Sequence, residues 1–264
     1  MSHNMKRGVR KVRVAVGGSL IVPHRREDID LPQAYQISEK GRPFLLFDSG
    51  PSSDRILIFS TPKNMKFLKA SELWFVDGTF KTAPTLFEQL FVIHGHRNGI
   101  TFPLVYCLTP NRTTETYVRM LTALKLNTPG MEPKSIMSDF EKASINAFNQ
   151  EFPLAEKKGC FFHYSQSIFR HIRDDKELHH RYSNDSDFSL QIWLVALAFI
   201  PPEDVMVTFE HLMVDKFFVE NEELLAEFIT YFEKTWLGRW NIRRTARLAA
   251  FFSDFIMELL LFST

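Results

Sequence analysis

The sequence predicts an α/β protein in which a mixed sheet is followed by an all-helical subdomain. Three strand-like runs come first, at residues 72–80, 87–95 and 101–109. Apolar residues at helical spacing then alternate with short apolar runs, which gives the order β-β-β-α-β-α-β-α up to about residue 182. A strand meander followed by alternating helices and strands is typical of a mixed sheet with helices on its faces.

The meander and the segment before it contain turn signals between strand-like runs. Arg97, Asn98 and Gly99 predict a tight hairpin turn between the second and third core strands. Upstream, RPFLLFD (42–48) and DRILIFS (54–60) flank a turn-rich stretch and read as two further strands. A short helix is predicted over residues 63–72, directly before the first core strand.

The alternating part is justified by periodicity and capping. Residues 113–125 carry apolar side chains at helical spacing, and Thr113 or Thr114 can cap the N-terminus of that helix. The remaining elements of this part are a strand at 134–140, a helix at 141–152, a strand at 157–163 and a helix at about 164–182.

After residue 183 the strand signals stop and three helix-like segments follow, at 187–200, 201–217 and 221–237. Pro201-Pro202 starts the second segment in the position that helices favour for proline. We therefore divide the chain into a basic arm with a β-rich entry segment (1–64), an α/β core (65–182), a helical insertion (183–237) and a divergent tail (238–264).

Composition bounds the class of protein. The chain has 264 residues, with 45% hydrophobic and 24% charged, which is an ordinary globular composition. The two cysteines cannot build a disulfide framework, so we expect a reducing compartment. No signal peptide is visible. The apolar stretch 248–262 is too short, and carries too many acids, to cross a membrane.

Two acidic residues, Asp77 and Asp139, each follow a short apolar run and precede a small polar turn. Holding a carboxylate at the end of a buried strand costs free energy, and a shared divalent metal is one of few arrangements that stabilises two such neighbours. If the fourth core strand runs parallel to the first, the ends that carry the acids meet. Each acid also has a structural interpretation: Asp77 with Gly78 fits a turn, and Asp139 fits a helix N-cap.

Cys160 and His163 form a CxxH motif. A zinc site normally needs four ligands, and no second Cys/His pair has a suitable spacing. A thiol–imidazole pair is also awkward on a strand, because residues three apart point to opposite faces. That objection weakens if the strand ends near Phe162. For His94 and His96 we favour a role in lining a turn.

The motifs together resemble the Mutator-like element (MULE) transposase family. The stretches that carry the resemblance run in the family's order through most of the chain, namely WFVDGTFKTAP, FEQLFVIHG, PLVYCLTPNRTTETY, IMSDFEKASINAF, CFFHYSQSIFR and ALAFIPPEDV. The resemblance implies an RNase H-like fold and a DDE triad that uses Mg²⁺ or Mn²⁺. Asp77 matches the first acid and Asp139 the second. Cys160 and His163 match the family's CxxH, and residues 183–237 match its helical insertion.

The chain departs from the family pattern at the third acid, a Glu that lies beyond the insertion in an Asn-rich segment. No such segment follows residue 237, and neither Glu258 nor the glutamates of the last predicted helix have the right context. A truncated or decayed copy fits this ending.

The resemblance implies metal-dependent cleavage and strand transfer at transposon ends. A catalytically inactive remnant that binds DNA or a protein is an alternative, and an unrelated RNase H-like nuclease is a weaker one. The implied partner is DNA bearing the terminal inverted repeats, with a homo-oligomer possible and no membrane, and the implied location is the nucleus. Two cationic runs, KRGVRKVR (6–13) and the arginines 239, 243, 244 and 247, can contact phosphates; the first also reads as a nuclear-import arm or as a solvated tail.

Overall fold

The computed structural model describes residues 23–238 and the backbone of residues 256–258. Its contacts divide the chain into two compact units. The sheet unit contains Met1–Ile136 and Lys142–Ala155, and the helical unit contains Met137–Glu141 and Glu156–Thr264. The fold is α/β. The predicted division at residues 64, 182 and 237 stays a prediction.

The sheet unit carries an entry segment, a five-stranded antiparallel sheet and the helices that pack on it. In chain order its elements are a 3₁₀ turn (Arg26–Asp28), α1 (Gln33–Gln36), β1 (Leu45–Asp48), β2 (Leu57–Phe59), α2 (Pro62–Lys69), β3 (Leu73–Thr79), β4 (Gln89–Arg97), β5 (Ile100–Thr109), α3 (Thr114–Asn127), the first half of β6 (Ser135–Ser138) and α4 (Lys142–Glu151).

The strands pair in the order β1-β2-β5-β4-β3, all antiparallel. As predicted, Asn98 and Gly99 make the two-residue turn between β4 and β5, with φ of 54° and 75°. β6 begins beside the start of β3, because the N–H groups of Lys134 and Ser135 both donate to the carbonyl of Glu72, at 2.7 and 3.0 Å.

One face of this sheet is buried under α3 and α4. Trp74, Val76, Phe91 and Ile93 alternate along β3 and β4 towards that face and join a single apolar core. The Phe91 ring lies 5.3 Å from the ring of Tyr117 on α3. Because successive strand residues point to opposite faces, the neighbours of these core residues, Asp77 among them, lie on the other side of the sheet.

The helical unit begins with the last residues of β6 and continues from β7. Its further elements are β7 (Glu156–Cys160), α5 (Phe161–Asp174), α6 (Lys176–Asn184), α7 (Ser186–Gln191), a 3₁₀ helix (Trp193–Phe199), α8 (Val205–Met213), α9 (Lys216–Glu220), α10 (Glu222–Phe232), a π-helical turn (Glu233–Leu237) and β8 (Ile256–Glu258). β8 pairs with β7 in parallel, and Glu258 is in register with Cys160. The order from β3 to α5 is the one predicted from the sequence.

The helices of this unit are shorter than the sequence suggests. Asp175 interrupts the helix predicted over 164–182 because its carboxylate accepts from the N–H groups of Glu177 and Leu178, both at 3.0 Å, and caps a new helix. Asp185 caps α7 in the same way. The helix predicted over 187–200 is also broken, into α7 and a 3₁₀ helix.

Aromatic side chains dominate the core of the helical unit. Tyr164, Phe209, Phe228, Phe232 and Trp236 are all at most 2% exposed. The rings of Tyr164 and Trp236 meet edge to face at 4.8 Å, and the Tyr164 hydroxyl donates to the carbonyl of Leu194 at 2.6 Å. This core ties the long helix α5 to the segments that follow it.

Within the described part of the chain, no helix is long and apolar enough to cross a membrane. The predicted cationic runs, at residues 6–13 and from Arg239 to Arg247, lie outside the described residues.

Candidate functional site

Asp77 lies within β3, two residues before its end, and its backbone is opposite Val92 of β4. The strand continues through Gly78 and Thr79, so the interpretation of Asp77-Gly78 as a turn is wrong. Trp74 and Val76 are buried on one face, whereas Phe75 and Asp77 are only partly covered on the other. The register of β3 therefore places the carboxylate on the face that α3 and α4 leave open.

Gly78 is required for packing on the opposite face. A Cβ on Gly78 would overlap the side chain of Gln89, which is fully buried and donates from Nε2 to the hydroxyl of Tyr117 at 2.6 Å. The backbone at this position does not have a positive φ. The glycine after Asp77 therefore serves a close approach between β3 and a buried amide.

His94 lies on the same side of the sheet as Asp77, opposite Phe75. Burial lowers the pKa of His94, and hydrogen bonding to the Phe75 backbone together with the charge of Asp77 partly opposes this shift. His96 is also a strand residue, with Nδ1 2.8 Å from the hydroxyl of Thr101. The expectation that both histidines line a turn is wrong, because β4 extends to Arg97. No spacing or motif in the sequence indicates that His94 is a neighbour of Asp77.

Asp139 directly follows β6 and belongs to the helical unit. Its Oδ1 accepts from the N–H of Glu141 at 3.1 Å, and its carbonyl accepts from the hydroxyl of Ser138 at 2.8 Å. The carboxylate thus orders its own turn two residues ahead. It does not occupy the N-cap position predicted for it, since α4 begins only at Lys142.

The residue after Asp139 anchors this turn. The ring of Phe140 meets the buried ring of Trp236 edge to face, 4.7 Å away, and Trp236 in turn contacts Tyr164 of α5. The second acid is therefore held by an aromatic residue almost a hundred positions further along the chain. No local motif in the sequence signals this contact.

Cys160 and His163 form a pair across a strand–helix boundary. β7 ends at Cys160 and α5 begins at Phe161, so Cys160 is the N-cap and His163 the third residue of the helix. The objection that a strand points the two side chains apart therefore does not apply, and the two side chains form a hydrogen bond.

The charge of this thiol is set by opposing effects. Burial raises the pKa of Cys160, but the hydrogen bond from His163 and the nearby N–H groups of His163 and Phe162 outweigh it and lower the pKa overall. These N–H groups favour a thiolate without reaching the geometry of an ordinary side-chain cap.

The predicted metal ligands are distributed over both units, with Asp77 in the sheet unit and Asp139 in the helical unit. Their meeting at one site stays a prediction. Among the residues that the structure describes, no group of three or more His, Cys, Asp or Glu side chains is arranged to hold a metal ion. Two carboxylates supply suitable oxygen ligands for Mg²⁺ or Mn²⁺, but they fall short of a complete set.

The described residues define an α/β protein with one acid on its first core strand and another directly after the fourth. Residues 73–167 match the family model of the MULE transposase domain. This stretch begins with β3, ends within α5, and contains Asp77, Asp139, Cys160 and His163. The resemblance inferred from the motifs is confirmed over these residues. No curated protein matches the chain.

Proposed function

We propose that this chain carries the catalytic domain of a MULE-type transposase, which cleaves and joins DNA at transposon ends with Asp77 and Asp139 as two of its metal-binding carboxylates. The observation that carries the proposal is the family match over residues 73–167, which contains both acids and the CxxH pair in the expected order. The family match supports a transposase-type function; the catalytic activity, the metal, Mg²⁺ or Mn²⁺, and the roles of the two acids belong to the proposal.

The order of elements supports an RNase H-like core. Three antiparallel strands, β3 to β5, are followed by α3, and β6 then begins beside the start of β3. Such an arrangement returns the chain to the strand that carries Asp77. The second acid directly follows β6, so both acids belong to the strands that the proposal pairs.

Mg²⁺ or Mn²⁺ held by Asp77 and Asp139 would supply Lewis-acid stabilisation of the negative charge that develops when a phosphodiester is cleaved. The chain's own contribution is to hold the carboxylate ligands in fixed positions. β3 fixes Asp77 by its register, and the turn closed by the Glu141 N–H fixes Asp139. The third carboxylate is not assigned to a residue, so the proposal names two of the three ligands.

One observation favours a second candidate, a catalytically inactive remnant that binds DNA or a protein. The sequence after residue 237 lacks the Asn-rich segment with the third Glu, and the described residues hold no group of three ligands. Losing one ligand of a two-metal site removes much of the electrostatic stabilisation on which the reaction depends.

A metal-dependent nicking assay on DNA with terminal inverted repeats separates the two candidates. Under the catalytic proposal, cleavage in Mn²⁺ falls at least about a hundredfold in Asp77→Asn and in Asp139→Asn. Asp187→Asn is the matched control, because Asp187 is exposed on α7 and lies outside the matched domain. Cleavage that persists in both active-site variants contradicts the assignment of the two acids.

A DNA-binding measurement on the same proteins tests the alternative. Salt-dependent binding of the end DNA, without cleavage in any variant, assigns the chain to the remnant class. We also propose a nuclear location, which follows from the DNA substrate, and imaging of the tagged full chain tests it.

A further inference from the structure

A cavity of about 1200 Å³ lies in the sheet unit, on the same face of the sheet as Asp77 and two strands along. Tyr106 in its floor is opposite Val92, and Val92 is opposite Asp77. Its floor is the open face of three neighbouring strands, formed by Leu57 and Phe59 of β2, Tyr106 and Leu108 of β5, and Leu90 of β4. The entry segment from Pro23 to Tyr35 and the loop at residues 82–87 form its walls. The cavity is somewhat larger than the roughly 300–1,000 Å³ typical of small-molecule sites.

The walls are fixed to one another and to the sheet by polar contacts. Arg26 in the entry segment donates from Nη1 to the carbonyl of Leu86 at 2.7 Å, which joins the two walls directly. Arg55, only 6% exposed, donates to the carbonyl of Ile29 at 2.7 Å and pairs with Asp48 at 2.6 Å. A space with walls held in this way is formed before any ligand arrives.

The lining excludes charged ligands. None of the side chains that line the cavity is an aspartate, glutamate, lysine or arginine. Burying an ion against such walls without a partner costs several kcal/mol or more. Phe44, Phe59 and Tyr106 cluster on the floor, with ring centroids 5.6 and 6.4 Å apart, and provide an aromatic surface for an apolar body.

One polar group in the floor lacks a protein partner. The Tyr106 hydroxyl makes no hydrogen bond with any of the residues that the structure describes. Burial raises the pKa of Tyr106, so the phenol stays protonated and able to donate. A half-buried donor in an apolar cavity is satisfied by an acceptor on the ligand.

We infer that this cavity is a binding site for an uncharged, mainly apolar small molecule that carries one hydrogen-bond acceptor, which the Tyr106 hydroxyl contacts. The apolar body packs against the aromatic floor, and the absence of charge in the lining selects neutral molecules over ions of the same size. Asp77 is not among the residues that line the cavity, and the inference does not depend on the transposase-type function.

The test uses the full chain and the neutral dye Nile red, with displacement by 1-decanol, decanoate and decylammonium. We expect saturable dye binding that decanol displaces at concentrations at least about tenfold lower than either ion. Leu90→Trp, which fills the cavity, should abolish dye binding. Val207→Trp, an equal change at an exposed position of the helical unit, should leave it unchanged.

Tyr106→Phe keeps the shape of the cavity and removes only the hydroxyl, so it keeps the proposal testable if Leu90→Trp fails to fold. Tyr106→Phe should weaken the binding of decanol about three- to tenfold and leave the binding of decane unchanged. Equal dye binding in Leu90→Trp and the unchanged chain overturns the site, and equal displacement by decanoate overturns the ligand class. Dye binding that falls as protein concentration rises assigns the cavity to a second copy and also overturns the proposal.

Discussion

The sheet unit and the helical unit hold their acidic residues in different ways. Asp77 is positioned by the register of β3 against β4, with Asp77 opposite Val92 and its strand neighbours Trp74 and Val76 in the core. Asp139 sits in a turn after β6, and Phe140 fixes this turn against Trp236. The first arrangement is local and periodic. The second depends on a contact between residues far apart in the chain.

Because of this difference, the two acids should respond differently to substitutions in their surroundings. A strand register shifts only if a whole row of buried residues moves to the other face, so single changes near Asp77 act on stability more than on its direction. A turn held by one aromatic contact loses its position when that contact goes. Four measurements test how the two units hold their side chains in place.

The largest expected effect is that of Trp236→Ala. The ring is 2% exposed and contacts both Phe140 and Tyr164, so its removal should reduce the free energy of unfolding by about 3–5 kcal/mol. Urea denaturation followed by circular dichroism measures the loss. Trp236→Phe keeps a ring at this position and should cost much less. A loss below about 1 kcal/mol in Trp236→Ala would show that the helical unit does not depend on the contacts of this ring.

Asp48→Asn should have the next largest effect. It should reduce the free energy of unfolding by about 2–3 kcal/mol, because it leaves the buried guanidinium of Arg55 without its carboxylate. The hydrogen bond from Arg55 lowers the pKa of Asp48 in the folded protein. A lowered carboxyl pKa gives stability that is present above the unfolded value near 3.9 and is lost as pH falls through the folded value. Asp48→Asn should therefore flatten the acid limb of a stability–pH curve, and an unchanged limb contradicts this account.

Gly78→Ala should reduce the free energy of unfolding by about 1–3 kcal/mol, because the new Cβ overlaps the side chain of Gln89. The matched test is a double-mutant cycle with Gln89→Ala, which removes the overlapping atoms. The second change should reduce the cost of the first, and thermal unfolding of the four proteins measures the coupling. Additive costs would show that the glycine serves something other than this close approach.

The smallest effect on stability, and a clear effect on reactivity, is expected at Cys160. Burial strongly raises the pKa of Cys107, whereas the pKa of Cys160 is lowered, so iodoacetamide at neutral pH should label one cysteine per folded chain. Mass spectrometry of the labelled peptides identifies it as Cys160.

His163→Gln is the matched variant for this labelling. It should move the half-maximal pH of the labelling rate upward, because the imidazole no longer favours the thiolate. Equal labelling rates in both proteins would show that His163 does not affect the reactivity of the Cys160 thiol. Cys107 should react only after unfolding, which supplies an internal control in the same chain.

Much of the sheet unit follows from the sequence. The hairpin at Asn98-Gly99, the N-cap of α3 at Thr113 and the order of elements from β3 to α5 are local signals of turn chemistry and periodicity, and the structure contains all three. The helix boundaries in the helical unit were predicted less well. Asp175 is a capping residue inside a stretch predicted as one continuous helix, and capping competes with periodicity there.

The sequence by itself determined the α/β class of the core, the order of its elements and the resemblance that residues 73–167 bear out, a stretch that contains Asp77, Asp139 and the CxxH. These properties depend on residue types and spacings, which are local. The tertiary structure alone decided that Gly78 packs on a buried amide, that Cys160 lies at the N-cap position of α5 with its thiol hydrogen-bonded to His163, and that Trp236 holds the turn of Asp139. Each of these is a contact between side chains whose partner is chosen by packing in three dimensions.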